Sequence, residues 1–342
     1  MAERAVAFVC DGDRMAGLGH TSRCVALAEA WNERGVAPVF VGPVEAAARL
    51  VTEAGFAVDP AALDAELLAV VVDSYRMPDA ELEAMAGRHR LVCIDDFATR
   101  ATYPCVAVVN VTMHADELDY PARVPLVLRG PRHLLVRRSL RSFRARAAAA
   151  PAGERVDEAV VAIGGVDHHD LGARVVAALA RVADTPSVRV LVPSGSPSPA
   201  LLDAVRSHGR ASVVTGVFSL AEMLAGTGVI ISGGGLTKYE AAYAGVATAA
   251  IGQTPEQDRD TERFAALGLG LDLGPAAAAG DVALSDAIDR FVTDRAYRRA
   301  LVETSIGYFP PDPTAAVASA LDDVLGATGD GATGDGATGD IG

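Results

Sequence analysis

Short runs of valine, isoleucine and leucine alternate with longer alanine-, leucine- and glutamate-rich stretches along most of this chain, and no other feature limits its fold as strongly. A strand followed by a helix, repeated many times, satisfies its backbone only as parallel sheets with helices on both faces. In the first half the runs at 5–10, 38–41, 68–72, 91–94 and 107–111 read as strands, with helical stretches at 20–34 and 80–88. "SLRSFRARAAAAPAGERVDE", around 139–157, changes the composition and reads as a linker. The pattern then restarts, with strands at 159–163, 188–192, 211–215, 228–232 and 247–251 and helices at 170–183 and 236–244. The expected organisation is a first domain at 1–140, a linker at 141–156, a second domain at 157–325 and a disordered GATGD-repeat tail at 326–342. Two open α/β domains facing each other leave a central cleft, and ligands lie where carboxyl ends of strands meet it.

Composition narrows the partners. A formal net charge of -14 repels a phosphate backbone, so nucleic acid is not an expected partner. No uninterrupted apolar run reaches the roughly 20 residues of a membrane helix, and "MAERAVAFVCDGD" has no signal-peptide pattern. The expected location is the cytoplasm. Cys10, Cys24, Cys93 and Cys105 lack CxxC spacing and read as buried thiols rather than metal ligands or disulfides.

Two glycine-rich turns carry the chemistry. "CDGDRMAGLGH" follows the first strand, and Gly17 and Gly19 permit close backbone approach just before a helix that begins near His20. The loop is too long for a dinucleotide fingerprint and lacks its third glycine, and nothing matches GxxxxGK[ST]; "GGGLTK" has its lysine misplaced. His20 is then either a helix-start residue bonded to its loop or a general base at the cleft mouth. In the second half, "SGGGLTKYE" offers the amides of Gly234, Gly235 and Leu236 and the Thr237 hydroxyl to a diphosphate. Glu240 lies one turn further, within reach of a ribose diol; the plainer role for Thr237 and Glu240 is to serve the helix start. "AIGGVDHHDL" repeats the strand, Gly-Gly, helix pattern at Gly164 and Gly165, where Asp167 or Asp170 reads as an N-cap rather than a metal ligand. No metal site and no cofactor is expected.

Taken in order, "GLGHTSRCVALA", "VVVDSYRM", "LVCIDDF", "VVNVTMHADELDY", "RGPRHLLVRRSL", "AIGGVDHHDL", "SGGGLTKYEAAYAG" and "PEQ" span residues 5 to about 270. Together they resemble the UDP-sugar hydrolase family of pseudaminic acid biosynthesis and the related spore-coat polysaccharide biosynthesis proteins. Those families are built like GT-B glycosyltransferases such as the lipid II-forming N-acetylglucosaminyltransferase. The resemblance implies the GT-B fold, two Rossmann-like domains facing a central cleft, with a nucleotide sugar as the small-molecule partner. It implies catalytic roles for His20, Tyr75 and Asp96, Asp96 being the second acid of the Asp95–Asp96 pair. It also implies nucleotide or substrate contacts at Gly234 to Thr237, Glu240 and Gln257. Asp11 or Asp96 would orient the imidazole, and Tyr75 would position water or a sugar substituent. The implied reaction cleaves the sugar C1–O bond with water and releases UDP, which leaves as a stable anion without protonation. The alternative is transfer of the sugar to a small-molecule or cell-envelope acceptor on the same scaffold, and a silent nucleotide-sugar binding protein is a third reading. The chain departs from the relatives at His133, where they carry a tyrosine, and in its closing "YFPPDPTAAVASAL". Neither the sugar nor the nucleotide base nor the oligomeric state follows from these residues.

Overall fold

Strands such as Ala69–Asp73, with every residue buried, have no solvent face and are stable only inside a sheet covered on both sides. A computed structural model describes residues 4–12, 18–42, 45–147, 156–164, 167, 169–192, 196–216, 219–278 and 280–326. The first sheet contains β1 (Ala5–Cys10), β2 (Ala37–Phe40), β3 (Ala57–Val58), β4 (Ala69–Asp73), β5 (Leu91–Ile94), β6 (Ala107–Asn110) and β7 (Leu126–Arg129). The second contains β8 (Glu158–Ala162), β9 (Ser187–Val192), β10 (Ala211–Thr215), β11 (Val229–Gly233), β12 (Ala247–Gly252) and β13 (Leu271–Pro275). The strand orders are β3-β2-β1-β4-β5-β6-β7 and β10-β9-β8-β11-β12-β13, and every pairing is parallel. Both orders reverse once, at β1/β4 and at β8/β11. These are the switch points where adjacent loops diverge and leave a crevice.

The helices are α1 (Gly19–Asn32), α2 (Glu45–Glu53), α3 (Asp79–Ala86), α4 (Arg138–Ala147), α5 (Leu171–Leu179) and α6 (Pro199–His208). They continue with α7 (Leu220–Leu224), α8 (Thr237–Tyr243), α9 (Pro255–Ala266), α10 (Asp281–Thr293), α11 (Arg295–Tyr308) and α12 (Pro313–Gly326). Helix α1 is buried from His20 to Trp31 apart from Ser22, because it lies beneath both its sheet and α12. Helix α12 comes from the end of the chain yet packs on the first lobe, where Trp31 Nε1 donates to Asp322 at 3.1 Å. Two expectations change here. The stretch read as a linker begins as helix α4, since "RSLRSFRARA" is rich in helix formers and Arg144 anchors it. The short strands β3, β7 and β13 were not expected, being too brief or too polar to stand out by pattern. The repeat tail beyond residue 326, Gly17, Gly165 and His168 lie outside the described residues.

Candidate active site

The first switch point gathers a polar knot. Asp73 ends β4, beside Cys10 of β1 in register, and its carboxylate is fully buried. His20, in the first turn of α1 and 7% exposed, places Nδ1 2.6 Å from Asp73 Oδ1. One turn along the same helix, Arg23 grips Asp73 through Nε at 2.6 Å and Nη2 at 2.7 Å and reaches Asp96 through Nη1 at 2.7 Å. Burial works to raise the Asp73 carboxyl, but Arg23 and then His20 outweigh it and bring it down to about 2. An ionised carboxylate only accepts, so Nδ1 carries a proton, and in the neutral imidazole the lone pair then lies on Nε2. That is the tautomer a general base needs.

The remaining first-lobe residues build the surroundings. Asp73, rather than Asp11 or Asp96, orients the imidazole, because strand register puts the end of β4 directly against α1. Asp11 instead accepts from the Ser74 hydroxyl at 2.8 Å and the Tyr75 amide at 3.0 Å, fixing the turn that carries Tyr75. Tyr75 donates its hydroxyl to Asp96, so that group is not held out toward water or sugar. Its ring meets His20 edge-on at 4.5 Å and lies 4.9 Å from Phe97. Burial at the hydroxyl end and the Asp96 charge push that hydroxyl well above its usual range, so it remains a donor. The acid pair divides: Asp96 faces the knot, whereas Asp95 receives the Tyr103 hydroxyl and the Phe97 amide and holds loops of the first lobe. Sequence reasoning missed Asp73 and Arg23. The signals were present, an acid closing "VVVD" and an arginine three residues after His20 on one helix face.

The second switch point supplies the opposite wall. A cavity of about 160 Å³ is lined by Gly19 and Ser22 of α1, Arg137 and Ser139 around the start of α4, Gly164 after β8, and Thr237 and Glu240 of α8. A Cβ on Gly19 would lie 3.9 Å from Leu236 Cδ1, so the two glycine turns meet across the cleft. The three glycines of "SGGG" are glycine for different reasons. A side chain on Gly233 would strike the Ile163 carbonyl at 2.0 Å, and one on Gly234 would press Gln257 at 2.8 Å. At Gly235, which is exposed, nothing lies within 4 Å, so no protein neighbour requires that glycine. Gly164 sits at φ +122, a backbone region that side chains avoid. Burial raises the Glu240 carboxyl to about 7, with Arg137 pulling the other way. The Gln257 carboxamide oxygen accepts from the Gln253 backbone amide at 3.0 Å, and the Gln257 backbone amide donates to the Thr254 hydroxyl, so Thr254 caps α9 and Gln257 backs the turn. Asp167 caps α5 through the Leu171 and Gly172 amides at 2.7 and 2.8 Å, and Asp170 accepts from Ser198. His133 bonds the Arg129 carbonyl within its own turn.

No protein-family model matches the chain, and no curated protein matches it in sequence. Solved structures do match in three dimensions. The glycosyltransferase of kitacinnamycin is 15% identical, with 95% of this chain and 100% of that chain covered and a TM-score of 0.64. MurG of Acinetobacter baumannii is 14% identical over 94% and 99% of the two chains, with a TM-score of 0.60. MnaA of S. aureus, solved with UDP, is 10% identical over 94% and 97%, with a TM-score of 0.65. Among the described residues no helix is long and apolar enough to cross a membrane. The chain therefore has the GT-B fold: two Rossmann-like lobes, each an all-parallel sheet between helices, facing each other across a cleft.

Proposed function

We propose that this protein transfers a glycosyl group from a nucleotide sugar to an oxygen nucleophile, with His20 as general base. The observation that carries the reading is the His20–Asp73 pair at the β1/β4 switch point, opposite the glycine turn of the second lobe. The nucleotide diphosphate lies against the amides of Gly235 and Leu236 and the Thr237 hydroxyl, and Glu240 accepts from the ribose hydroxyls. In the reacting step the nucleophile gives its proton to His20 Nε2 and its oxygen forms a bond to the sugar C1. The C1–O bond to the diphosphate breaks, and the electron pair leaves with the nucleoside diphosphate. The imidazolium so formed is stabilised by the ionised Asp73 at its other nitrogen.

The nucleotide is taken to be uridine-based, in line with the UDP bound by MnaA. An organic hydroxyl as acceptor is favoured by the likeness to glycosyltransferases. Water is the second reading, supported by the motif set and by the low exposure of His20, 7%, which favours a small nucleophile over a bulky one. The test combines UDP release with calorimetric UDP binding. The His20→Asn variant should lose about 10²- to 10⁴-fold in turnover and retain UDP affinity. Release of UDP by the wild type without any acceptor selects hydrolysis, and release only with an acceptor selects transfer. Unchanged turnover in the variant would remove His20 from the chemistry.

A further inference from the structure

The lysine of "GGGLTK" is fully buried, an arrangement that costs free energy unless each of its donors is used. They are: Lys238 Nζ meets Asp260 Oδ2 at 2.7 Å, the Gly234 carbonyl, and the Gly235 carbonyl at 3.2 Å. A carbonyl and the following amide of a trans peptide point in opposite directions. Two carbonyls drawn back onto Lys238 therefore turn the amides of Gly235 and Leu236 away from it, and a Cβ on Gly235 would meet no atom within 4 Å. Asp260 is shared. It also takes the Met113 amide at 2.8 Å, His114 Nδ1 at 3.2 Å and the Tyr239 hydroxyl, so its carboxylate joins the second lobe to the loop after β6 in the first. Burial alone would raise the Asp260 carboxyl, but Lys238 and then His114 hold it far below the carboxylate range.

We propose that Lys238 is the positioning residue of the nucleotide turn and that, through Asp260, it couples the state of that turn to the contact between the lobes at Met113. The inference rests on the proposed nucleotide site. Lys238 touches no ligand. It presents two amides to the diphosphate from behind, and a ligand that draws on those amides tightens the Lys238–Asp260–Met113 chain.

Calorimetry with UDP on the full chain, well below the melting temperature, tests the first part. Wild type binds, and folded Lys238→Met binds about tenfold more weakly. A purely structural lysine would lower the melting temperature and leave UDP affinity within twofold, which would overturn the proposal. Hydrogen exchange tests the coupling: UDP should slow exchange of the Met113 amide in the wild type. Where Lys238→Met does not fold, Asp260→Asn serves instead; it keeps the two carbonyl bonds, so UDP affinity stays within about threefold while the Met113 response disappears. A wild-type Met113 amide indifferent to bound UDP, or an Asp260→Asn protein that keeps the response, overturns the coupling. Failure of the wild type to bind UDP at all would instead remove the nucleotide reading on which the inference stands.

Discussion

At the scale of single residues, the site divides into groups whose ionisation the fold has settled and one that it leaves poised. Asp73 is locked as a carboxylate by Arg23 and His20, whereas burial leaves Glu240 titrating at about 7. Its folded value is raised above the ordinary 4.5, so the protonated form is favoured on folding. The stability this brings is fully present below pH 4.5 and is lost as pH rises through about 7. Urea melts across that window should show Glu240→Gln flattening the decline. UDP affinity should strengthen as pH rises through 7, because only the carboxylate accepts from both ribose hydroxyls, and Glu240→Gln should abolish that dependence. His20, Thr237 and Glu240 were legible as sequence because each follows a glycine turn at a strand-to-helix junction. The pairing of Asp73 with Arg23 was not. An acid and an arginine 50 residues apart become partners only when β4 is inserted beside β1.

At the scale of elements, the turn between β11 and α8 holds glycines that packing requires beside one that it does not. Gly234→Ala forces a Cβ against Gln257 and Thr261 and should cost about 1–3 kcal/mol in denaturant unfolding. Gly235→Ala meets nothing in the protein, so stability should shift by less than about 0.5 kcal/mol. The same substitution places a methyl group where the diphosphate would approach, and UDP titration should show binding weakened or lost. Undiminished UDP binding by a stable Gly235→Ala protein would move the diphosphate elsewhere. From sequence the three glycines look equivalent. The neighbours that distinguish them, the Ile163 carbonyl and α9, arrive from distant parts of the second lobe.

At the scale of the whole molecule, the lobes are joined by buried polar bonds as well as by apolar packing. Arg144 of α4 donates to the carbonyls of Tyr243, Ile306 and Phe309 at 2.7, 2.9 and 3.0 Å. It lies in the segment whose composition suggests a linker. Arg144→Met would leave those three acceptors buried without that donor and should destabilise the protein by about 3 kcal/mol in chemical denaturation. A flexible connector would show no change. By itself the sequence determined the alternation of strand and helix, the division into two α/β lobes and the places where glycine turns precede helices. Those properties depend on periodicity and on local backbone freedom, which neighbouring residues set. Only the tertiary structure decided the reversals of strand order that define the cleft, the partner of His20, and the return of α12 to the first lobe. It also decided the placing of Lys238 and Asp260 behind the second glycine turn. Each of these depends on contacts between residues far apart in the chain, and no local pattern encodes which distant group will arrive.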